Sequence, residues 1–268
     1  MNERPQILLT NDDGIPSPGL WAAAAALSEI GYVTVVAPRE QSSGMARSLP
    51  KTSDGIIEEQ NVQVRGQAWK VYAVGGSPAQ AVLHGVLEVM PQRPDLVVSG
   101  INYGENVGLG VTISGTVGAA MEAAAFGLPA LAISRETEVR HHLGYSEEVD
   151  FAAAAHFTRL FGQLLLEKRM PPDVHVLKVD VPSDATAGTP WQVVRVAQQA
   201  YFTPVRPERT SWGDPGIVGY REAALLEGQA QDTDVHVLRQ KRHVAVVPLS
   251  LDLTSRLDLD DFEKSLRS

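Results

Sequence analysis

Ile7-Leu8-Leu9-Thr10-Asn11-Asp12-Asp13-Gly14 is an apolar run of strand length that drives into two adjacent carboxylates and a glycine. Ser17-Pro18-Gly19-Leu20-Trp21 and a run of alanines follow. Ser17 is expected to cap a helix there, and Pro18 suits its first turn. Strand, carboxyl-end loop and helix in that order open an α/β sheet, and such sheets bind ligands at the carboxyl ends of their strands. Two neighbouring carboxylates repel each other unless positive charge lies beside them. A divalent cation meets that need, because hard ions such as Mg²⁺ take oxygen ligands. Asn-Asp-Asp-Gly is also ordinary turn chemistry. Its place at the end of a buried-type strand, with polar loops after later strands too, favours the ion.

The rest of the chain bounds what that loop can serve. Its 268 residues suffice for a full core, and 44% hydrophobic with 21% charged residues is ordinary for a soluble globular protein. No apolar run approaches the roughly 18 residues that a bilayer span needs. Met1-Asn2-Glu3-Arg4-Pro5 lacks the layout of a signal peptide, so a cytoplasmic location is expected. With no cysteine, disulfides and thiolate metal sites are excluded. A net charge of −9 argues against binding large nucleic acids, which takes basic surface. A small phosphorylated ligand remains open, given a metal, backbone N–H groups or a few arginines.

Further strands and loops repeat the opening theme. A helix is expected from Pro18 to about Ile30, stopped by Gly31, then a strand at Tyr32-Val33-Thr34-Val35-Val36-Ala37 ended by Pro38. The loop Arg39 to Ser48 is rich in hydroxyls and includes Ser43-Gly44. Val62 to Arg65 and Trp69 to Val74 read as short antiparallel strands decorating the sheet. Ser77 and Gln80 stand in capping-box spacing, and Ala79, Val82, Leu83, Val86, Leu87 and Met90 follow at helical spacing. A strand through Val97-Val98-Ser99 opens into a loop from Gly100 to Gly110 that includes Asn102 and Asn106. Its glycines admit a ligand close to the backbone, and its asparagines offer neutral oxygens. Ser114-Gly115-Thr116 begins another helix, whose free N–H groups suit a phosphate, although Ser114 also reads as a plain N-cap.

Beyond Leu128 to Ser134, another strand, His141 and His142 read as a solvated loop, because no acidic partner stands at metal-site spacing. A long amphipathic helix is expected from Phe151 to Leu166 and a strand from Val174 to Val181. The predicted organisation is a catalytic core over 1–182, with a β-hairpin insertion near 51–74, and an arm over 183–268. That arm holds a strand at Trp191 to Val196, few long apolar runs over about 201–240, a strand at His243 to Leu249 and a helix at Leu257 to Leu266. Its exposed strands are expected to pair with another subunit.

Together these loops supply two carboxylates, hydroxyls, an Asn/Gly loop and a helix N-terminus, with no cysteine. One oxygen-held ion can clamp a phosphate and acidify a water, so the residues point to metal-assisted hydrolysis of a phosphomonoester.

The same residues carry a family resemblance. Thr10-Asn11-Asp12-Asp13-Gly14, Val36-Ala37-Pro38 with Ser43-Gly44, and Gly76-Ser77-Pro78 match in order. So do Ser99-Gly100-Ile101-Asn102 with Gly104 and Asn106, Ser114-Gly115-Thr116-Val117, Thr233-Asp234, and Pro248-Leu249 with Asp252-Leu253-Thr254. The chain resembles the SurE family, stationary-phase survival protein E, over about residues 7–254. The resemblance implies a Rossmann-like, mostly parallel sheet flanked by helices, with a C-terminal β-rich arm exchanged between subunits of a homodimer or homotetramer. It implies 5′-nucleotidase activity on nucleoside monophosphates, extending to 3′-nucleotides, with one Mg²⁺ or Mn²⁺ per subunit activating the attacking water. By that resemblance Asp12, Asp13, Ser43 and Asn102 hold the metal. Gly44, Asn106, Ser114, Gly115 and Thr116 face the phosphate, and Asn11 with Asp12 serves catalysis by orienting water or substrate. Ser77 stands where the family commonly has Thr, Gln80 where it has Asp, and Ile113 where it has Tyr.

Rival folds fare worse. A receiver domain needs a phosphorylatable Asp ending its third strand, where this chain has Val98-Ser99-Gly100. A dinucleotide enzyme needs Gly-x-Gly-x-x-Gly after the first strand, where acids would repel a pyrophosphate. A non-catalytic nucleotide- or phosphate-binding protein of the same fold is the alternative function.

Overall fold

The computed structural model describes residues 4–64, 66–142, 144–146, 148–223 and 230–268. Residues 1–3 and Arg65, which entered the sequence reading, lie outside them. The first strand, β1 (Gln6–Thr10), pairs in parallel with β2 (Tyr32–Pro38) on one side and β5 (Leu96–Tyr103) on the other. From β2 the sheet continues outward through β4 (Gln67–Val74) to β3 (Ile57–Val64). From β5 it continues through β6 (Ala130–Arg135), β7 (Val176–Val181), β11 (Val244–Leu249) and β8 (Trp191–Val193). Strand order therefore reverses at β1 and β5, which opens a crevice above their carboxyl ends. The fold is α/β, with a mixed, mostly parallel sheet between helical layers.

Side-chain alternation along β1 explains its central place. Ile7 and Leu9 pack in the layer of α1 (Pro18–Leu27) and α4 (Ala152–Glu167), whereas Leu8 packs in that of α2 (Pro78–His84) and α3 (Gly115–Ala125). A parallel strand covered on both faces reads as a continuous apolar run. Each such fully buried side chain contributes about 1.5–3 kcal/mol.

Several elements depart from the sequence reading. Ser17 occupies the N-cap of α1, but its buried hydroxyl makes no capping hydrogen bond. The Ser77 capping box forms in full. Past His84, however, Gly85–Val89 is a wide π-helical turn that rotates the stripe and leaves Leu87 exposed. The hairpin does not merely decorate the sheet: β4 hydrogen-bonds β2 in parallel, and β3 forms the edge. β5 runs on through Asn102 to Tyr103, with a register shift against β6 between Ser99 and Asn102.

The sheet also runs past residue 182, where the sequence placed the end of the core. β11 lies antiparallel to β7 and brings the shorter-than-expected β8 with it. Between these strands the arm forms a separate two-stranded ribbon of β9 (Phe202–Val205) and β10 (Gly219–Glu222), followed by α5 (Asp234–Arg239). The terminal helix α6 (Leu259–Arg267) is exposed along its whole length. Among the described residues, no helix is long and apolar enough to cross a membrane.

Candidate active site

At the carboxyl ends of β1 and β5 the strand-end loops and the start of α3 meet. The loop after β1 closes on itself through Asn11, whose Nδ2 donates to the Gly14 carbonyl while its Oδ1 accepts from the Gly14 N–H, both at 3.1 Å. Both ends of that carboxamide are thus taken up within the loop. Asn11 shapes the turn that presents the acids and does not line the cavity described below.

Asp12 and Asp13 are buried, at 4% and 1% exposure, and neither forms an ion pair with a described residue. Thr116 Oγ1 donates to Asp12 Oδ1 at 2.5 Å. A Cβ on Gly115 would fall 2.8 Å from Asp12 Cβ and Oδ2, so only glycine lets α3 begin against this carboxylate. Asp13 is held by Gln41 Nε2 at 3.2 Å and by the Tyr103 N–H at 3.1 Å. Burial raises the Asp12 carboxyl above its ordinary range. Burial first, and the Asp12 charge second, push Asp13 up to about 8.

Two buried carboxylates without a basic partner among the described residues fit a divalent cation. The neighbouring donors fit as well. Asn102 Nδ2 donates to the Tyr103 and Gly104 carbonyls at 3.2 and 2.6 Å, which leaves Oδ1 as the acceptor free to coordinate. Ser43, exposed on the loop after β2, lines the same cavity as Asp12 and Asn102. The set is hard oxygen throughout, as Mg²⁺ or Mn²⁺ prefers.

That cavity, of about 420 Å³, brings together Asp12, Ser43, Gly44, Asn102, Asn106 and Ser114. Asp13, Gly115 and Thr116 stand behind Asp12 rather than on the wall. Ser114 Oγ accepts from the Val117 N–H at 3.1 Å, so it does cap α3 while also lining the cavity. Asn106 Nδ2 donates to Ser134 Oγ at 2.9 Å, which steadies the amide.

Three features escaped the sequence reading. The first is a fully buried charge cluster under the Asn106 loop. Lys178 Nζ donates to Asp180, to Asp234 Oδ2 at 3.1 Å and to the Asn106 carbonyl at 2.9 Å. Asp180 accepts the Asn106 N–H at 2.7 Å, and Asp234 accepts the Gly108 N–H at 3.2 Å. Burial disfavours the Lys178 charge, but the two aspartates outweigh it and hold its pKa above the usual lysine range. Lys178 and Asp180, two apart on an otherwise apolar strand, were the legible signal: such charges share a face and imply a buried partner. The second is Glu105, buried beside the Tyr201 hydroxyl and pushed up to about 7, mainly by burial.

The third feature corrects the histidine reading. His142 is not solvated but buried, lining the cavity with its Nδ1 hydrogen-bonded to the Tyr220 hydroxyl at 3.0 Å. Burial lowers its pKa. Its partner lies 78 residues away, so no local pattern announced it.

Comparison with known proteins agrees with this architecture. The family model described as survival protein SurE matches residues 7–203. The 5′-nucleotidase SurE of Thermococcus gammatolerans is 40% identical over 263 residues, covering 97% of this chain and 96% of the relative. That of Archaeoglobus fulgidus is 40% identical over 260 residues, 96% of each chain. The crystal structure of SurE protein from Aquifex aeolicus superposes with a TM-score of 0.72 at 30% identity, covering 98% of this chain and all of that one. By family model, full-length relatives and fold, the chain belongs to the SurE family.

Proposed function

We propose that this protein is a nucleoside monophosphate phosphohydrolase, a 5′-nucleotidase that also accepts 3′-nucleotides, dependent on one Mg²⁺ or Mn²⁺ per subunit. The observation that carries the reading is the pair of buried acids, Asp12 and Asp13, beside the start of α3 and with no basic partner among the described residues. The activity itself is supported by the relatives named 5′-nucleotidase SurE over nearly the whole chain.

Asp12, Asp13, Ser43 and Asn102 would hold the ion, which supplies charge neutralisation to a phosphate and acidifies water when bound. The chain's own groups do the positioning. Thr116 fixes the rotamer of Asp12, while Gln41 and the Tyr103 N–H fix Asp13. The N-terminus of α3 offers backbone N–H groups and the positive end of its dipole to phosphate oxygens. Gly44 leaves room beside the phosphate, and Asn106 is steadied by Ser134 to donate to it. Hydrolysis then breaks the P–O ester bond with water and releases nucleoside and phosphate.

A panel of phosphomonoesters assayed against a metal series tests the reading. Chelation should abolish turnover of nucleoside monophosphates, and Mn²⁺ or Mg²⁺ should restore it. Asp12→Asn should lower kcat by at least about 100-fold, since even outer-shell partners of a metal cost 10–100-fold. Its fold should survive, because removing one charge relieves repulsion in the metal-free protein. Full turnover in chelator, or in Asp12→Asn, would rule the proposal out; nucleotide binding without any turnover would identify a binding protein instead.

A further inference from the structure

The phosphate chemistry accounts for only part of the cavity wall. Besides Tyr103, Glu105 and three glycines, the remainder is apolar or aromatic: Ile113, His142, Phe202, Pro204, Val218 and Tyr220. Four of these six come from the β9–β10 ribbon or the residue leading into it. Their rings form one assembly. Phe202 meets Tyr220 edge-on, with centroids 5.3 Å apart and planes at 67°, and meets His142 at 5.7 Å and 89°. His142 stacks on Tyr220 at 6.0 Å, and the hydrogen bond between its Nδ1 and the Tyr220 hydroxyl joins the two.

The ribbon that carries the rings is fastened to the body of the protein. Arg239 on α5 donates to the Tyr201 hydroxyl at 2.6 Å and pairs with Glu222 at 3.1 Å and Glu136 at 3.3 Å. Both strands are therefore tied at the end where Phe202 pairs with Glu222. A hydrolase of phosphomonoesters in general has no use for such a wall, whose apolar surface gains nothing from a phosphate or a polyol. A flat, partly apolar ring gains from it by stacking and edge contacts. The cavity, at about 420 Å³, falls within the about 300–1,000 Å³ typical of small-molecule sites.

We propose that His142, Phe202 and Tyr220 seat the nucleobase of the substrate, and so decide that nucleotides are preferred over phosphomonoesters without a planar ring. This rests on the phosphomonoesterase reading above and adds the residues that select its leaving group. It is tested on the full-length, metal-loaded protein by measuring kcat and KM for adenosine 5′-monophosphate and for ribose 5-phosphate. The two share the ester and the sugar and differ by the base.

The wild type should favour the nucleotide. Tyr220→Ala and His142→Ala should each cut the nucleotide-to-ribose-phosphate ratio of kcat/KM by about tenfold, through KM of the nucleotide, as expected for one lost ring contact. Tyr220→Phe keeps the ring and should restore most of the ratio. His142 and Tyr220 lie on different elements, so a folding defect in one variant leaves the other informative. An unchanged ratio in both alanine variants overturns the inference. Equal kcat/KM for the two substrates in the wild type overturns it too, with the phosphomonoesterase reading intact. If the wild type hydrolyses neither, it is that earlier reading that fails.

Discussion

Glu105 lies three residues beyond Asn102, in a loop whose glycines and asparagines drew attention away from it. In the fold it is 3% exposed and lies beside the Tyr201 hydroxyl, with Glu136 and Asp180 adding negative charge nearby. The native protein therefore favours its protonated form, with the pKa raised from 4.5 to about 7. A raised acid contributes stability that is complete below pH 4.5 and lost as pH rises through about 7. Glu105→Gln removes that dependence. Between these pH values, the urea-unfolding stability of the wild type should fall relative to Glu105→Gln by on the order of 3 kcal/mol. A difference that stays constant across the window would contradict the assignment. At this scale, sequence exposed the residues whose chemistry is unusual in type, such as Asp12 beside Asp13. It did not expose those made unusual by surroundings, such as Glu105 and His142.

Helix α3 organises the site more than its alanine-rich composition suggests. Its start meets Asp12, and its next turn holds the loop that carries Ser43 and Gly44. A Cβ on Gly118 would fall 2.2 Å from the Ala46 carbonyl carbon and oxygen. One turn further on, the buried Glu122 accepts from Arg47 Nε at 2.5 Å, and the Ala46 N–H reaches the Ile113 carbonyl at 3.1 Å. In an exposed helix Gly→Ala stabilises by about 1 kcal/mol. Here Gly118→Ala should instead cost about 1–3 kcal/mol through overpacking. Because the loop must move, kcat/KM should fall by about tenfold, a response comparable to that of outer-shell groups. Thermal unfolding and steady-state kinetics check both, and a more stable variant with wild-type kinetics would refute the docking role. The start of the helix was legible from its small hydroxyl residues. The contact that makes Gly118 necessary was not, since Ala46 lies 72 positions earlier with no pattern linking the two.

Over the whole molecule, the arm leaves apolar side chains exposed. Trp212 and Ile217 between the ribbon strands are 89% and 91% exposed. Helix α6 lines up Leu259, Phe262 and Leu266 at helical spacing on an exposed face. Apolar surface of this kind marks an interface, and we propose a homodimer or homotetramer that exchanges the arm. Sedimentation equilibrium should give a multiple of the protomer mass. Replacing Leu259, Phe262 and Leu266 together by serine should shift the protein towards monomer, whereas a wild-type monomer at micromolar concentration would refute the assembly.

Sequence by itself determined the α/β class, the β1 loop with its acids, the capped helices α2 and α3, and the loops that end at the cavity. It could do so because these depend on local rules: strand hydrophobicity, capping chemistry and the repulsion of adjacent charges. The tertiary structure decided the rest. It closed β11 and β8 onto a sheet that seemed finished, buried Lys178 between Asp180 and Asp234, and set Tyr220 against His142. Each of these joins residues that are far apart or that alternate on a buried face, and the free energy that selects them comes from desolvation and packing, which no short stretch of chain encodes.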